Sequence, residues 1–339
     1  MKGDQSFDRI NYLLRTNKHI ERKLIFDALL RVHGMFNLYN HRYIGFGSMW
    51  FGDFLLVHRL IGIKDMWSIE LEKNSKRADF NKPYMSIQVK SGRSSEILKE
   101  ITEEEWKKPC IAWLDYDGVF DADVISDIDT LIRKLAAMSF VLFTVNGNRL
   151  SYKMQIDSGR RSPALQTITD IAGPINIPSR CNYGKTGAGE LIDIPERDFP
   201  KILAESILNV ISHKMSVSGR YSDKLPIRFL PLFNFCHVDG TEMVTVGGAI
   251  VKQSDVNKLC ELLPDFSEID SSSELPVQIC LDLVQLTVKE KMVLDGVLPN
   301  LESEFEEIAK MKGIELPDDQ LKKYWNCYRY FPVFTEAFF

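Results

Sequence analysis

The sequence predicts an α/β protein built on one large, mostly parallel β-sheet. Three observations carry that prediction. Five apolar, strand-like runs alternate with helical runs between residues 41 and 148, the pattern of parallel strands joined by right-handed crossovers. The first run leads through a glycine turn into a helix, and the second ends in a carboxylate, Glu70, which lies 23 residues beyond Gly47. After one more helix, extended runs at 227–238 and 243–251 are joined by Asp239-Gly240, a hairpin signal.

Composition narrows the class. The chain has 339 residues, enough for one large or two moderate domains. Hydrophobic content of 45% and charged content of 26% are ordinary for a globular protein. A net charge of −5 gives no global positive field to draw nucleic acid. Six cysteines are scattered without a C-x-x-C pair, which argues against a zinc site and a disulfide framework. Cys110, Cys236 and Cys280 sit in apolar runs and read as buried thiols in a reducing compartment. No apolar run reaches membrane-spanning length and no signal-peptide core is present, so the expectation is a cytoplasmic protein with no membrane partner.

The elements follow in order. Residues 8–33 read as a charged helix, with Leu24, Ile25, Ala28, Leu29 and Val32 on its apolar face. Arg9, Arg15, Lys18, His19, Arg22, Lys23 and Arg31 make it basic. That run is either a solvated helix face or a lip for a phosphate-bearing substrate, with Arg15, Lys18, Arg22 and Lys23 as the contacts. Tyr43 and Ile44 are β-formers, and Gly45 and Gly47 let the backbone turn sharply and approach a ligand. From Trp50 onward Phe51, Phe54, Leu55 and Val57 suit a packed helix. A helix N-terminus behind such a turn receives polar or anionic groups, although G-x-G with Gly52 five residues on is not the full dinucleotide fingerprint.

Asp65–Glu70 is the second strand, and Glu70 stands where nucleotide-binding units carry a ribose-binding acid. A short helix near 72–80 precedes the third strand, Met85–Lys90. The turn after it offers Ser94 or Ser95 as a helix cap. The fourth strand, Pro109–Leu114, is continuous and apolar as a buried parallel strand should be, and runs into Asp115-Tyr-Asp-Gly118. A helix over 121–137 leads to the fifth strand, Phe140–Val145, which closes on Asn146-Gly-Asn148. Ligands bind beyond the carboxyl ends of such strands. The candidates Gly45, Gly47, Ser48, Glu70, Ser94, Asp115, Asp117 and Asn146 therefore collect on one edge.

Residues 149–197 are irregular, with Arg160-Arg161, Pro163, Pro174, Pro178 and the Gly184–Gly189 segment reading as a loop-rich insertion or lid. No strand precedes Gly187-Ala-Gly189, so it takes no nucleotide role. A helix resumes at 198–216 before the hairpin. The organisation is a helical segment over 1–40, a main domain over 41–252 and a mixed, partly helical extension over 253–339 packed on it. The extension carries an acidic helix around Glu302–Glu307 and an aromatic-rich end, 324–339, too apolar to stay exposed.

Five parallel units, a helix and an antiparallel hairpin form the arrangement of the class I S-adenosylmethionine-dependent methyltransferases. That is a Rossmann-like, seven-stranded, mostly parallel sheet with one antiparallel strand. Ile20-Glu-Arg-Lys23, Tyr43-Ile-Gly-Phe-Gly-Ser48, Ser68-Ile-Glu70, Trp113–Gly118, Thr245-Val-Gly-Gly248 and Tyr328–Pro332 resemble a group of bacterial proteins classed as O-methyltransferases. The resemblance spans most of the chain. It implies that fold and cofactor, transfer to oxygen, and a loose association with mobile or anti-phage gene clusters; it names no acceptor. Tyr43 departs from the pattern, standing where typical methyltransferases carry an acid.

Methyl transfer needs nucleophile, carbon and sulfur aligned more than it needs a covalent protein group. Gly45, Gly47 and Ser48 would pass the amino-acid part of S-adenosylmethionine, Glu70 would bind its ribose, and Ser94 would flank adenine. Asp115 and Asp117 have two readings: catalytic groups toward the acceptor, or, with Asn146, ligands of Mg2+ that would acidify a hydroxyl. No N/D-P-P-Y/F motif follows the fourth strand, which disfavours a base-amine acceptor, and no cysteine stands there for cytosine-C5 chemistry. Three functions stay open. One is an active methyltransferase. Another is a methyltransferase-like domain that binds a ligand or protein partner without turnover. The third is a nucleic-acid modification factor using Arg15, Lys18, Arg22, Lys23 and Arg160-Arg161 on phosphates.

Overall fold

The computed structural model describes residues 15–153, 163–181, 194–220 and 226–333. Arg9, Arg160, Arg161, the Gly184–Gly189 segment and residues 334–339 lie outside them. α1 (Thr16–Phe36) leads into β1 (Arg42–Gly45) and α2 (Gly52–Leu56), which a π-helical turn prolongs over Val57–Ile61. β2 (Asp65–Glu70), α3 (Glu72–Asn81), β3 (Ile87–Ser91), α4 (Ser94–Glu100) and α5 (Glu103–Trp106) follow. β4 (Cys110–Asp115), α6 (Ala122–Lys134) and β5 (Ser139–Asn146) complete the alternating half. α7 (Ala164–Ala172) and α8 (Phe199–Val217) precede the hairpin of β6 (Ile227–Val238) and β7 (Glu242–Lys252). Beyond it come α9 (Val256–Leu262), α10 (Pro264–Ser267), a ribbon of β8 (Ile269–Asp270) and β9 (Leu275–Pro276), and then β10 (Ile279–Leu281). α11 (Val288–Asp295), α12 (Glu302–Met311) and α13 (Asp318–Cys327) end the described chain. No described helix is long and apolar enough to cross a membrane.

The main sheet has the order β10-β6-β7-β5-β4-β1-β2-β3. Only β7 runs against its neighbours, β5 and β6; every other pairing is parallel. This is the arrangement predicted from the element order, with a correction in strand number. An eighth strand, β10, pairs in parallel with β6. Three residues at a sheet edge leave too short a pattern to recognise, and Cys280 within them is exposed rather than buried. Cys110 and Cys236 are buried. The irregular stretch also hides a helix, α7, whose Leu165 and Ile168 face the core.

Strand alternation sends side chains to two separate cores. Tyr43, Ile111, Trp113, Phe140 and Leu142 meet α1, α2 and the C-terminal helices on one face. Ile44, Ala112, Leu114, Val141 and Phe143 meet α4 to α8 on the other. Helices on both faces leave the carboxyl ends of the strands as the open edge. β7 passes tightly through the sheet because a Cβ on Gly248 would stand 2.0 Å from the Leu230 carbonyl oxygen, beside the irregularity between Pro231 and Phe233.

α1 is tied to the site edge from far along the chain. Its N-terminus has no cap from its own first residue. Asp239, in the hairpin turn, accepts from Asn17 N at 3.2 Å and from Lys18 N at 2.7 Å. A carboxylate on these otherwise unpaired amides satisfies them and opposes the positive end of the helix dipole.

Candidate active site

A cavity of about 650 Å³ opens at the carboxyl ends of β1, β2, β4, β5 and β6, under the first turns of α1. Ser48, Glu70, Ser94, Asp115, Asp117 and Asn146 all line it, as strand-end placement predicts.

One half is organised by the turn after β1. Gly47 N donates to Ser68 Oγ at 3.0 Å, and Ser48 N donates to Glu70 Oε1 at 2.7 Å. The turn is thus fastened to the end of β2. The sharp backbone geometry falls on Ser48 and Phe51, both at φ 50°, and not on the glycines. Gly47 serves close approach instead, since a Cβ there would come within 2.6 Å of the Phe51 ring and Ser68 Oγ. Gly45 belongs to β1 and does not line the cavity. The helix begins at Gly52, not at Trp50.

Glu70 is 6% exposed, and burial pushes its carboxyl up to about 7 against the pull of the Ser48 amide. No described protein group donates to its Oε2. Ser94 does not cap α4; its hydroxyl donates to Asp127, which also accepts from Tyr116 Oη at 2.5 Å. Phe46 packs edge-on against Tyr116 at 5.1 Å. This half fits S-adenosylmethionine: a close-packed glycine turn beside a buried carboxylate with an open oxygen.

The other half rests on a network of charged groups, of which Glu21, Asp53 and His237 carried no signal in the sequence. Lys18 Nζ lies 3.1 Å from both carboxylate oxygens of Asp115 and 3.4 Å from Glu21 Oε2. It also sits 5.0 Å above the Trp113 ring. Arg22 pairs with Asp53 and approaches Asp115 at 3.8 Å. Burial opposes the charge on Lys18, yet Asp115 and Glu21 raise its pKa. Burial likewise opposes the charge of Glu21, but Lys18 and His237 draw its carboxyl down to about 2. His237 Nδ1 lies 2.9 Å from Glu21 Oε2. Thr144 and Thr245 join hydroxyls at 2.8 Å beneath them.

These contacts correct several expectations. Lys18 and Arg22 are 2% and 4% exposed and lie in ion pairs while lining the cavity, so they do not form a solvated face. Arg15 lines the cavity, whereas Lys23 faces Lys291 outside it. Asp115 is already neutralised by Lys18, and Asn146 Oδ1 accepts from Asn148 N at 2.8 Å. Among the described residues no three acidic, histidine or cysteine side chains converge, so the donors do not fit Mg2+. Asp117 is exposed at the mouth, on the Glu70 side. Tyr43 is fully buried; after burial itself, the Asp53 carboxylate does most to raise its phenol well above its ordinary pKa. Asp53, from α2, lines the cavity while paired with Arg22.

A family model described as "Putative O-methyltransferase" matches residues 10–339. No curated protein matches the chain in sequence. Among solved structures, the chain is similar to a putative sarcosine dimethylglycine methyltransferase from Galdieria sulphuraria, at 15% identity and a TM-score of 0.35. That match covers 62% of this chain and 64% of the other, so the chain spans less than two thirds of that protein. It is also similar to a putative S-adenosylmethionine-dependent methyltransferase from Listeria monocytogenes, at 11% identity and a TM-score of 0.34, over 66% of this chain and 99% of that one. A third likeness is to Trm1 from Pyrococcus horikoshii in complex with S-adenosylmethionine, at 11% identity and a TM-score of 0.39, over 94% of this chain and 76% of the other. The family match, which runs through every element of the sheet and cavity, carries the assignment: the chain belongs to this family of class I S-adenosylmethionine-dependent methyltransferases.

Proposed function

We propose that the enzyme transfers the methyl group of S-adenosylmethionine to an oxygen of a small acceptor bound in the same cavity. The observation that supports this reading most is the clasp of Ser48 N on Glu70 Oε1, which leaves Oε2 open beside a glycine turn. In this reading Oε2 accepts from the ribose hydroxyls, Gly47 and Ser48 pass the amino-acid part, and Ser94 with Tyr116 flanks the base. When bound, the cofactor supplies an electrophilic methyl on a cationic sulfonium. Six carboxylates against four basic side chains line the cavity, a balance that favours that cation.

Transfer to oxygen is supported by the family's description and by the proton-accepting groups of the cavity, Asp117 at the mouth and His237 within. A neutral hydroxyl is a poor nucleophile until its proton leaves, so such an enzyme needs one of them. Asp115 holds Lys18 across the floor and takes a positioning role. The test uses S-adenosylmethionine carrying a carbon-13 methyl and a panel of small hydroxyl, amine and thiol acceptors. The expected product shows the methyl resonance of an ether or ester. Label found only on nitrogen, carbon or sulfur would overturn the oxygen assignment.

A further inference from the structure

Resting on the oxygen-directed reading, we propose that His237 is the general base that takes the acceptor's proton, and that Glu21 is the residue that positions it. His237 lies near the carboxyl end of β6 and lines the cavity on the side away from Glu70. There Asn146, Thr241 and Met243 mark the space beyond β5 and β7. The side chain is 2% exposed, and the Glu21 beneath it is fully buried.

The contact with Glu21 favours one tautomer. Glu21 Oε2 lies 2.9 Å from Nδ1, and an ionised carboxylate can only accept, so a hydrogen on Nδ1 suits this contact. The neutral ring then has its lone pair on Nε2, for which no described residue is a partner. A carboxylate behind a histidine holds the ring's orientation and stabilises the imidazolium once it forms. The pair sits in a low-dielectric floor, where that stabilisation exceeds its value in water. Lys18, 3.4 Å from the same oxygen, keeps Glu21 from taking the proton itself.

Asp117 is less suited to the task. It is exposed, and its charge bears on Glu70 at the cofactor end. The charged groups of the network that ends on His237 are Glu21, Lys18 and Arg22 on α1, Asp53 on α2 and Asp115 at the end of β4. Asp239 in the hairpin turn and Asp282, next to the β10 residue in register with His237, complete the set. In the step, the hydroxyl oxygen forms the new bond to the methyl carbon while the carbon–sulfur bond breaks and its electron pair passes to sulfur. The hydroxyl proton passes to His237 Nε2, and leaves to solvent after product release.

Two phenolic probes separate a base from a merely structural histidine. Catechol must lose a proton to react, whereas 4-nitrophenol is largely ionised in mildly alkaline buffer and needs little help there. His237→Ala should lower catechol turnover by roughly 100-fold or more, as removal of a general base does. It should affect 4-nitrophenol far less, keep S-adenosylmethionine affinity close to wild type, and be rescued on catechol by added imidazole. Glu21→Gln, where it folds, should lower kcat on catechol with KM close to wild type, because the imidazolium that forms during the step loses its anionic partner. His237→Asn provides a folded comparison by thermal unfolding. Wild-type rates for His237→Ala on catechol, or equal losses on both probes without imidazole rescue, would overturn the proposal. A wild-type enzyme that binds S-adenosylmethionine and methylates amines but neither phenol would instead defeat the oxygen reading, and the proposal with it.

Discussion

Glu70 shows what a single residue contributes and what its sequence context conceals. Its place at the end of β2 follows from a strand followed by an acid. Its near-complete burial and its bond to Ser48 N do not, because both depend on how the preceding turn folds back. That burial sets a pH dependence. The folded carboxyl holds its proton up to about 7, whereas the unfolded chain releases it near 4.5. Between those values the folded state binds more protons, so stability falls as pH rises through the window and is lowest above 7. Two and a half pKa units correspond to an upper bound of about 3 kcal/mol. Glu70→Gln should remove this dependence and be more stable than wild type at pH 8, which urea unfolding at pH 5 and pH 8 would show. Equal pH dependence in the two proteins would contradict it. Ribose hydroxyls prefer the charged acceptor, so S-adenosylmethionine affinity should weaken as pH falls through about 7.

Elements were legible where a long periodic pattern met a turn signal. β2, β4, β5 and β6 begin and end within about a residue of their sequence-predicted limits, since apolar runs bounded by Asp, Asn or Gly leave little choice. β10 was not legible, and neither was α7 within its proline-rich surroundings. Asp239-Gly240 read correctly as a hairpin, but its second task, capping α1, joins residues more than 220 positions apart and leaves no local mark. Asp239→Ala should therefore lower stability by about 1 kcal/mol, the usual cost of losing a cap. An unchanged denaturation midpoint would show that water replaces the carboxylate. Gly248→Ala puts a methyl against the Leu230 carbonyl and should cost about 1–3 kcal/mol or more through overpacking, read as a lower unfolding temperature. Gly47→Ala meets the Phe51 ring and should reduce cofactor affinity with a smaller loss of stability.

At the scale of the molecule, the site is a joint between distant parts of the chain. α1 brings Lys18, Glu21 and Arg22 onto the strand ends, where β4 supplies Asp115, β6 supplies His237 and α2 supplies Asp53. Lys18 and Asp115 are 97 residues apart. The sequence showed basic residues on a helix and acids after strands; only the packing of α1 across the sheet edge turns them into partners. A buried network of this kind is costly to break by halves. Lys18→Ala leaves Glu21 and Asp115 without their shared cation and should destabilise the fold by about 3–5 kcal/mol. A loss below about 1 kcal/mol would mean that the pairs are solvated in solution, as surface pairs are.

In the function proposed above, the Ser48–Glu70 clasp is the cofactor's ribose site. Calorimetric titration of S-adenosylmethionine into wild type and Glu70→Ala tests it most directly. Hydrogen bonds to a charged acceptor contribute about 1.5–3 kcal/mol, so the variant should bind roughly 10- to 150-fold more weakly. Glu70→Gln should fall between the two, because an amide still accepts one bond. Equal affinity for wild type and Glu70→Ala, or no binding by the wild type, would contradict the account.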